Sequence, residues 1–143
     1  MSNMQVNTNN DTIPKKAYNL LVDGDYKKGI LLLEDYIKEH KDNPHVYNNL
    51  GAAYIKLGNY IEAEKYLNMA LELQDFPKKS LYFNFIELNI NIGNGFVNEK
   101  NYNMAIFYFK RALGYIYKYQ EINDKDNYIL SLKKELESQL FPK

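Results

Sequence analysis

The chain contains no cysteine. Disulfides, thiolate metal sites and cysteine nucleophiles are therefore excluded. It also has no excess of either charge, because 18 basic and 18 acidic side chains cancel. A nucleic-acid binder would carry a basic stripe, and a lipid-surface binder a polybasic patch, so neither partner is expected. The lysine pairs at Lys15-Lys16, Lys27-Lys28, Lys78-Lys79 and Lys133-Lys134 read as solvated helix faces. No apolar run approaches the roughly 20 residues of a membrane span. The opening "MSNMQVNTNNDT" has no charged stretch followed by an apolar one, so no signal peptide is expected and a cytoplasmic location is the default. Histidine is scarce, with His40 and His45 on either side of Asn43-Pro44. A metal site there would need ligands beyond Glu39 and Asp42 in suitable geometry. HExxH, GxSxG and phosphate-loop signatures are missing, and the "GNG" at 93–95 has no strand before it. The expectation is a protein that is not an enzyme and holds no cofactor or metal.

What is present is helical periodicity. The 143 residues suit one domain, with 45% hydrophobic and 25% charged residues as in an ordinary globular protein. Residues 1–12 are polar, without a period, and read as a disordered leader. From Ile13 onward the apolar spacing is helical, and no segment alternates as a strand would. Over this period lies a longer one. "DGDY", ending at Tyr26, recurs as "LGNY", ending at Tyr60, so that 34 residues separate Gly24 from Gly58 and Tyr26 from Tyr60. A third copy, "EKNY", ends at Tyr102, 42 residues after Tyr60. Three residues past each tyrosine stands a small residue (Gly29, Ala63, Ala105), and four further on a large one (Leu33, Leu67, Phe109). Self-similarity at such a spacing marks stacked supersecondary units.

Residues 44–77 resemble a tetratricopeptide repeat, a 34-residue helix–turn–helix unit. Tyr47 stands where the family prefers an aromatic residue. Leu50-Gly51 and Tyr54 match the first helix, Gly58 and Tyr60 the turn, and Ala63, Leu67 and Ala70 the second helix. Residues 86–119 fit through Gly93, Phe96, Tyr102, Ala105, Phe109 and Ala112. Residues 11–43 are a degenerate copy, in which Gly29 and Tyr36 replace preferred alanines. The resemblance implies an all-α fold: a right-handed α-solenoid of three such repeats, closed by a C-terminal capping helix over about 124–140, the whole forming one domain from 13 to 143. Small residues such as Gly51, Ala63 and Ala70 would let helix axes approach closely while large neighbours fill the grooves.

The eight extra residues between the second and third copies imply a lengthened helix. Pro77 favours a break, with Lys78 or Lys79 starting a long helix that Asn94-Gly95 weakens. Asp124 or Asp126 would cap the terminal helix, whose stripe is expected at Tyr128, Leu132, Leu136 and Leu140.

By the same resemblance, the first helix of each repeat lines a concave groove that binds a peptide segment of a partner protein. The groove positions are Tyr18 in the first copy, His45, Asn48, Asn49 and Lys56 in the second, and Asn91, Asn94 and Asn98 in the third. A carboxamide offers both donors and an acceptor and so matches a peptide unit. The C-terminal tails of heat-shock chaperones are disfavoured as ligands. Pro14, Tyr18, Glu87 and Asn91 stand where their carboxylate clamp needs lysine, asparagine and arginine, and Glu87 would repel a carboxylate. An alternative is self-association or docking into a larger complex through Phe107, on an aromatic stretch whose Phe109 and Tyr115 are expected to face the terminal helix.

Overall fold

The computed structural model describes residues 12–73 and 78–142. The expected leader at 1–11 and the expected break at Pro77 lie outside them. Seven helices follow one another: α1 (Thr12–Val22), α2 (Tyr26–Tyr36), α3 (Pro44–Leu57), α4 (Tyr60–Glu72), α5 (Lys78–Asn98), α6 (Tyr102–Ile122) and α7 (Asn127–Leu140). No strand occurs among the described residues, so the protein is all-α. The helices form two compact units divided after Asn84, inside α5. The first contains the hairpins α1–α2 and α3–α4 with the opening turns of α5. The second contains the rest of α5 with α6 and α7.

The repeated tetrapeptides are helix stops. Gly58 lies at φ 77° and donates to Ile55 O at 3.0 Å, and Asn59 N donates to Tyr54 O at 2.9 Å. The same pair of bonds ends α1, from Gly24 to Leu21 and Asp25 to Leu20, and ends α5, from Lys100 to Val97 and Asn101 to Phe96. This is a left-handed C-terminal motif that satisfies the last carbonyls of the helix. The next residue then starts the following helix. Asn59 Oδ1 accepts from Glu62 N and Asn101 Oδ1 from Met104 N, each at 3.3 Å. Glycine takes the left-handed position in the first two turns, but the third uses Lys100 at φ 60°. A side chain there is strained. Lys100→Gly is therefore expected to stabilise the protein by about 1 kcal/mol after the entropy of the unfolded glycine is set against it. A rise in the thermal midpoint would show it.

Close helix approach comes from the small residues, and the first hairpin achieves it by exchange. In α3, a Cβ on Gly51 would fall 2.6 Å from Leu67 Cγ of α4. In α5, a Cβ on Gly93 would fall 2.5 Å from the Phe109 ring of α6. Gly51 and Gly93 are equivalent, as are Leu67 and Phe109. The first hairpin has Ala17 at the glycine's place, and its glycine sits on the opposite helix, where a Cβ on Gly29 would fall 2.5 Å from Leu21 Cδ2. Gly29 thus supplies the clearance that the degenerate copy lacks elsewhere. Gly95 and Gly114 differ, since a Cβ at either meets nothing within 4 Å. Replacing each with alanine should raise stability by about 0.5–1 kcal/mol, read as a shift of the urea midpoint.

The extra length falls in α5, which spans 21 residues without interruption through Gly95. The terminal helix begins one residue past Asp126, whose Oδ1 accepts from Tyr128 N at 3.0 Å and Ile129 N at 3.3 Å. Its buried residues are Ile129 and Leu136, while Tyr128 is 50% exposed. The expected stripe at steps of four drifts about 40° per step around a helix of 3.6 residues per turn, so the buried face passes through Ile129 instead. Phe109 lies against Gly93, and Tyr115 stacks on Phe85 at 4.6 Å. Both rings face α5 rather than the terminal helix, where they were expected. Tyr117 and Tyr119 reach the terminal segment, donating to Glu137 at 3.3 Å and to Asp126 at 2.6 Å.

Candidate functional site

In the first unit the expected groove residues separate into two kinds. Tyr18 and His45 are half-buried and Lys56 is exposed. Desolvation lowers the pKa of His45, which favours its neutral ring. Asn48 and Asn49 are buried, at 0% and 4% exposure. Asn48 is engaged by the protein itself. Its Nδ2 donates to Ser80 Oγ at 2.9 Å, and its Oδ1 accepts from Asn84 Nδ2 at 2.9 Å. This buried relay joins α3 to the opening turns of α5. It leaves the Asn48 carboxamide directed at the protein's own residues, not at solvent.

A second polar node holds the two hairpins of the first unit together. Glu34 Oε2, on α2, accepts from Tyr54 Oη of α3 at 2.9 Å and from Tyr66 Oη of α4 at 2.8 Å. The rings of Tyr47, Tyr66 and Tyr54 stack in series, with centroids 6.2 and 5.8 Å apart. Tyr47 Oη donates to Lys41 O at 2.9 Å, tying the inter-repeat turn to the same stack. Burial and the Glu34 carboxylate push the Tyr54 hydroxyl up to about 12, and the same causes raise Tyr66. Burial and Asp126 likewise push Tyr119 up to about 12 in the second unit. These groups ionise more readily unfolded, near 10. Their stabilisation is fully present below the unfolded value and is lost as pH rises through the folded one. Helicity is thus expected to hold to about pH 10 and to fall between about 10 and 12. Glu34→Gln should lessen the part of that loss due to Tyr54 and Tyr66.

The second unit presents a more accessible amide face. Asn94 and Asn98 are exposed, and Asn91 is half-buried. Their spacing along α5 places the three on one side of the helix. Asn91 Nδ2 donates to Glu87 O at 2.9 Å, so one of its donors is used locally. Glu87, one of the residues that argue against a carboxylate clamp, accepts from Tyr128 Oη at 2.7 Å. Phe107 is 52% exposed. Its ring meets Tyr108 edge-on at 5.2 Å, and Tyr108 stacks on Phe96 at 5.7 Å.

The histidines form no metal centre. His40 lies flat on Tyr36, with centroids 4.1 Å apart, and its Nδ1 donates to Tyr36 O at 3.1 Å. No group of three or more potential ligands comes together among the described residues. No described helix is long and apolar enough to cross a membrane.

The residues that sequence reasoning missed are Glu34, Ser80 and Asn84. Only Ser80 and Asn84 had a local signal, as polar residues within the helical period of α5. Glu34 looks like any solvated helix carboxylate until its partners 20 and 32 residues away are known.

Paired helices with recurrent left-handed stops and glycine-bearing close contacts define a helical-hairpin repeat protein. Comparison of the sequence with protein families gives the same result in detail. Two descriptions of the tetratricopeptide repeat match, one over residues 44–75 and the other over 86–119. The chain belongs to the tetratricopeptide-repeat family, whose repeats are protein–protein interaction modules. No curated protein is matched by the sequence.

Proposed function

We propose that the chain is a non-enzymatic, cytoplasmic adaptor that binds a peptide segment of a partner protein along the first helices of its repeats. The observation that carries this reading is the amide face of α5, where Asn94 and Asn98 are exposed beside half-buried Asn91. Carboxamides on one helix side can pair with successive peptide units of an extended ligand, a grip tolerant of ligand sequence. On α1 and α3, Tyr18, His45 and Lys56 are the accessible counterparts, and they would add selectivity through shape and charge. Asn48 and Asn49 would support this face from beneath rather than touch the ligand, given their burial.

The test is capture from an extract of the source organism by the full chain and by an Asn94→Ala/Asn98→Ala variant. A protein retained by the parent chain and lost with the variant, at unchanged helical circular dichroism, is the expected result. Equal retention by both would remove α5 from the binding face.

The exposure of Phe107 favours a second reading, in which the aromatic stretch of α6 pairs with another copy or with a larger complex. Phe107→Asp would then lower the mass measured by sedimentation, with no effect of the asparagine substitutions.

A further inference from the structure

Gly114 stands in the middle of α6, where glycine is a poor helix former, and no packing contact requires it. Its missing side chain opens a shallow cleft of about 240 Å³ lined by Arg111, Gly114, Tyr115 and Lys118. The floor is rigid, because Tyr115 stacks on buried Phe85 at 4.6 Å with the rings 6° from parallel. The two cations are also positioned. Arg111 lies 5.6 Å from the Tyr108 ring centre and 5.9 Å from that of Phe107, and the Lys118 ammonium lies 5.7 Å over Tyr115. A cation held over an aromatic face loses less freedom when it meets an anion.

We propose that this cleft is a second interaction site, which binds an acidic linear segment of a partner protein. Arg111 and Lys118 are seven residues apart, two helical turns or about 10 Å. Carboxylates three residues apart on an extended chain are separated by about the same distance. One carboxylate meets the guanidinium fork, the other meets the ammonium, and the segment's backbone crosses the helix where Gly114 lets it approach. A peptide fits better than a nucleic acid or a lipid surface. Polyanion binding needs a wide positive field and many phosphate contacts, whereas this chain has no net charge. The site lies on α6 and is independent of the α5 amide face, so neither reading depends on the other.

The experiment uses the full chain and a labelled eight-residue peptide with aspartates at its third and sixth positions and glycine and serine elsewhere. Fluorescence anisotropy at low salt should show saturable binding that weakens as salt rises, while a peptide with lysines at those positions should not bind. Arg111→Glu/Lys118→Glu should weaken binding by about tenfold or more, as two attractive pairs become repulsive. Gly114→Gln should fill the cleft and weaken binding while raising the thermal midpoint, an opposition that general loss of structure would not give. Asn94→Ala/Asn98→Ala should leave this binding unchanged. Several results would overturn the proposal: no saturable binding up to millimolar peptide, equal binding by the charge-reversed chain, or equal binding by the Gly114→Gln chain. So would tighter, equally variant-sensitive binding of phosphatidylserine vesicles or oligothymidylate, which would make the cleft a general polyanion site.

Discussion

Gly51→Ala is expected to destabilise the protein by about 1–3 kcal/mol, although alanine is the better helix former. The new methyl would fall 2.6 Å from Leu67 Cγ, and Ala63 O lies 3.4 Å away on the same side. Leu67 is fully buried, and the clash involves its branch carbon, so the side chain has no free rotamer into which to withdraw. The helices must separate, which loosens every contact along the hairpin. Gly93→Ala should behave in the same way, because the aromatic ring of Phe109 replaces the leucine and cannot bend. The identical substitution at Gly114 should have the opposite sign. Urea denaturation of the three variants decides the matter, with an unchanged slope showing that the denatured state is not responsible. Combining Gly51→Ala with Leu67→Val should cost less than the sum of the two by at least about 0.5 kcal/mol, since the shorter side chain relieves the clash. Strict additivity would mean that the two residues do not share that space.

Asn48→Ala is the second large effect, expected at about 2–4 kcal/mol. The substitution removes the acceptor for Asn84 Nδ2 and the donor to Ser80 Oγ, and opens a void at a fully buried position. Asn48→Leu would fill the void but not restore either bond, so it should recover only part of the loss. Asn94→Ala, on the exposed face of α5, should change stability by less than about 0.5 kcal/mol. The contrast separates the two asparagines by purpose. One links α3 to the start of α5, and the other remains available to a ligand. A thermal midpoint for Asn48→Ala equal to that of the parent chain would contradict the assignment of Asn48 to the relay.

The hairpins were legible because their signals are local. A stop such as Gly58 followed by the cap Asn59 fixes a turn within six residues, whatever lies elsewhere. The long helix after Pro77 was legible for the same reason, from the spacing of Tyr60 and Tyr102. The binding face was only partly legible. Asn48, Asn49 and Asn91 fall at equivalent kinds of position on first helices, and composition cannot separate a carboxamide facing solvent from one facing the core. Asn48 is buried because Ser80 and Asn84 meet it from more than 30 residues away. The Tyr128 stripe failed through a small angular error accumulated along the helix. The exchange of glycine between Ala17 and Gly29 looked like decay of a repeat until the opposing Leu21 was seen.

The sequence by itself determined the element types, the turn positions and the repeat, since backbone conformations at glycines, caps and apolar periods depend on neighbours a few residues apart. The tertiary structure alone decided which polar side chains bind the protein's own helices and which remain outside. That choice depends on distant partners: Glu34 with its two tyrosines, Asn48 with Ser80 and Asn84, and Tyr115 with Phe85. A polar group is held inside only where another chain segment supplies its hydrogen-bond partner, and no local pattern records where that segment will arrive.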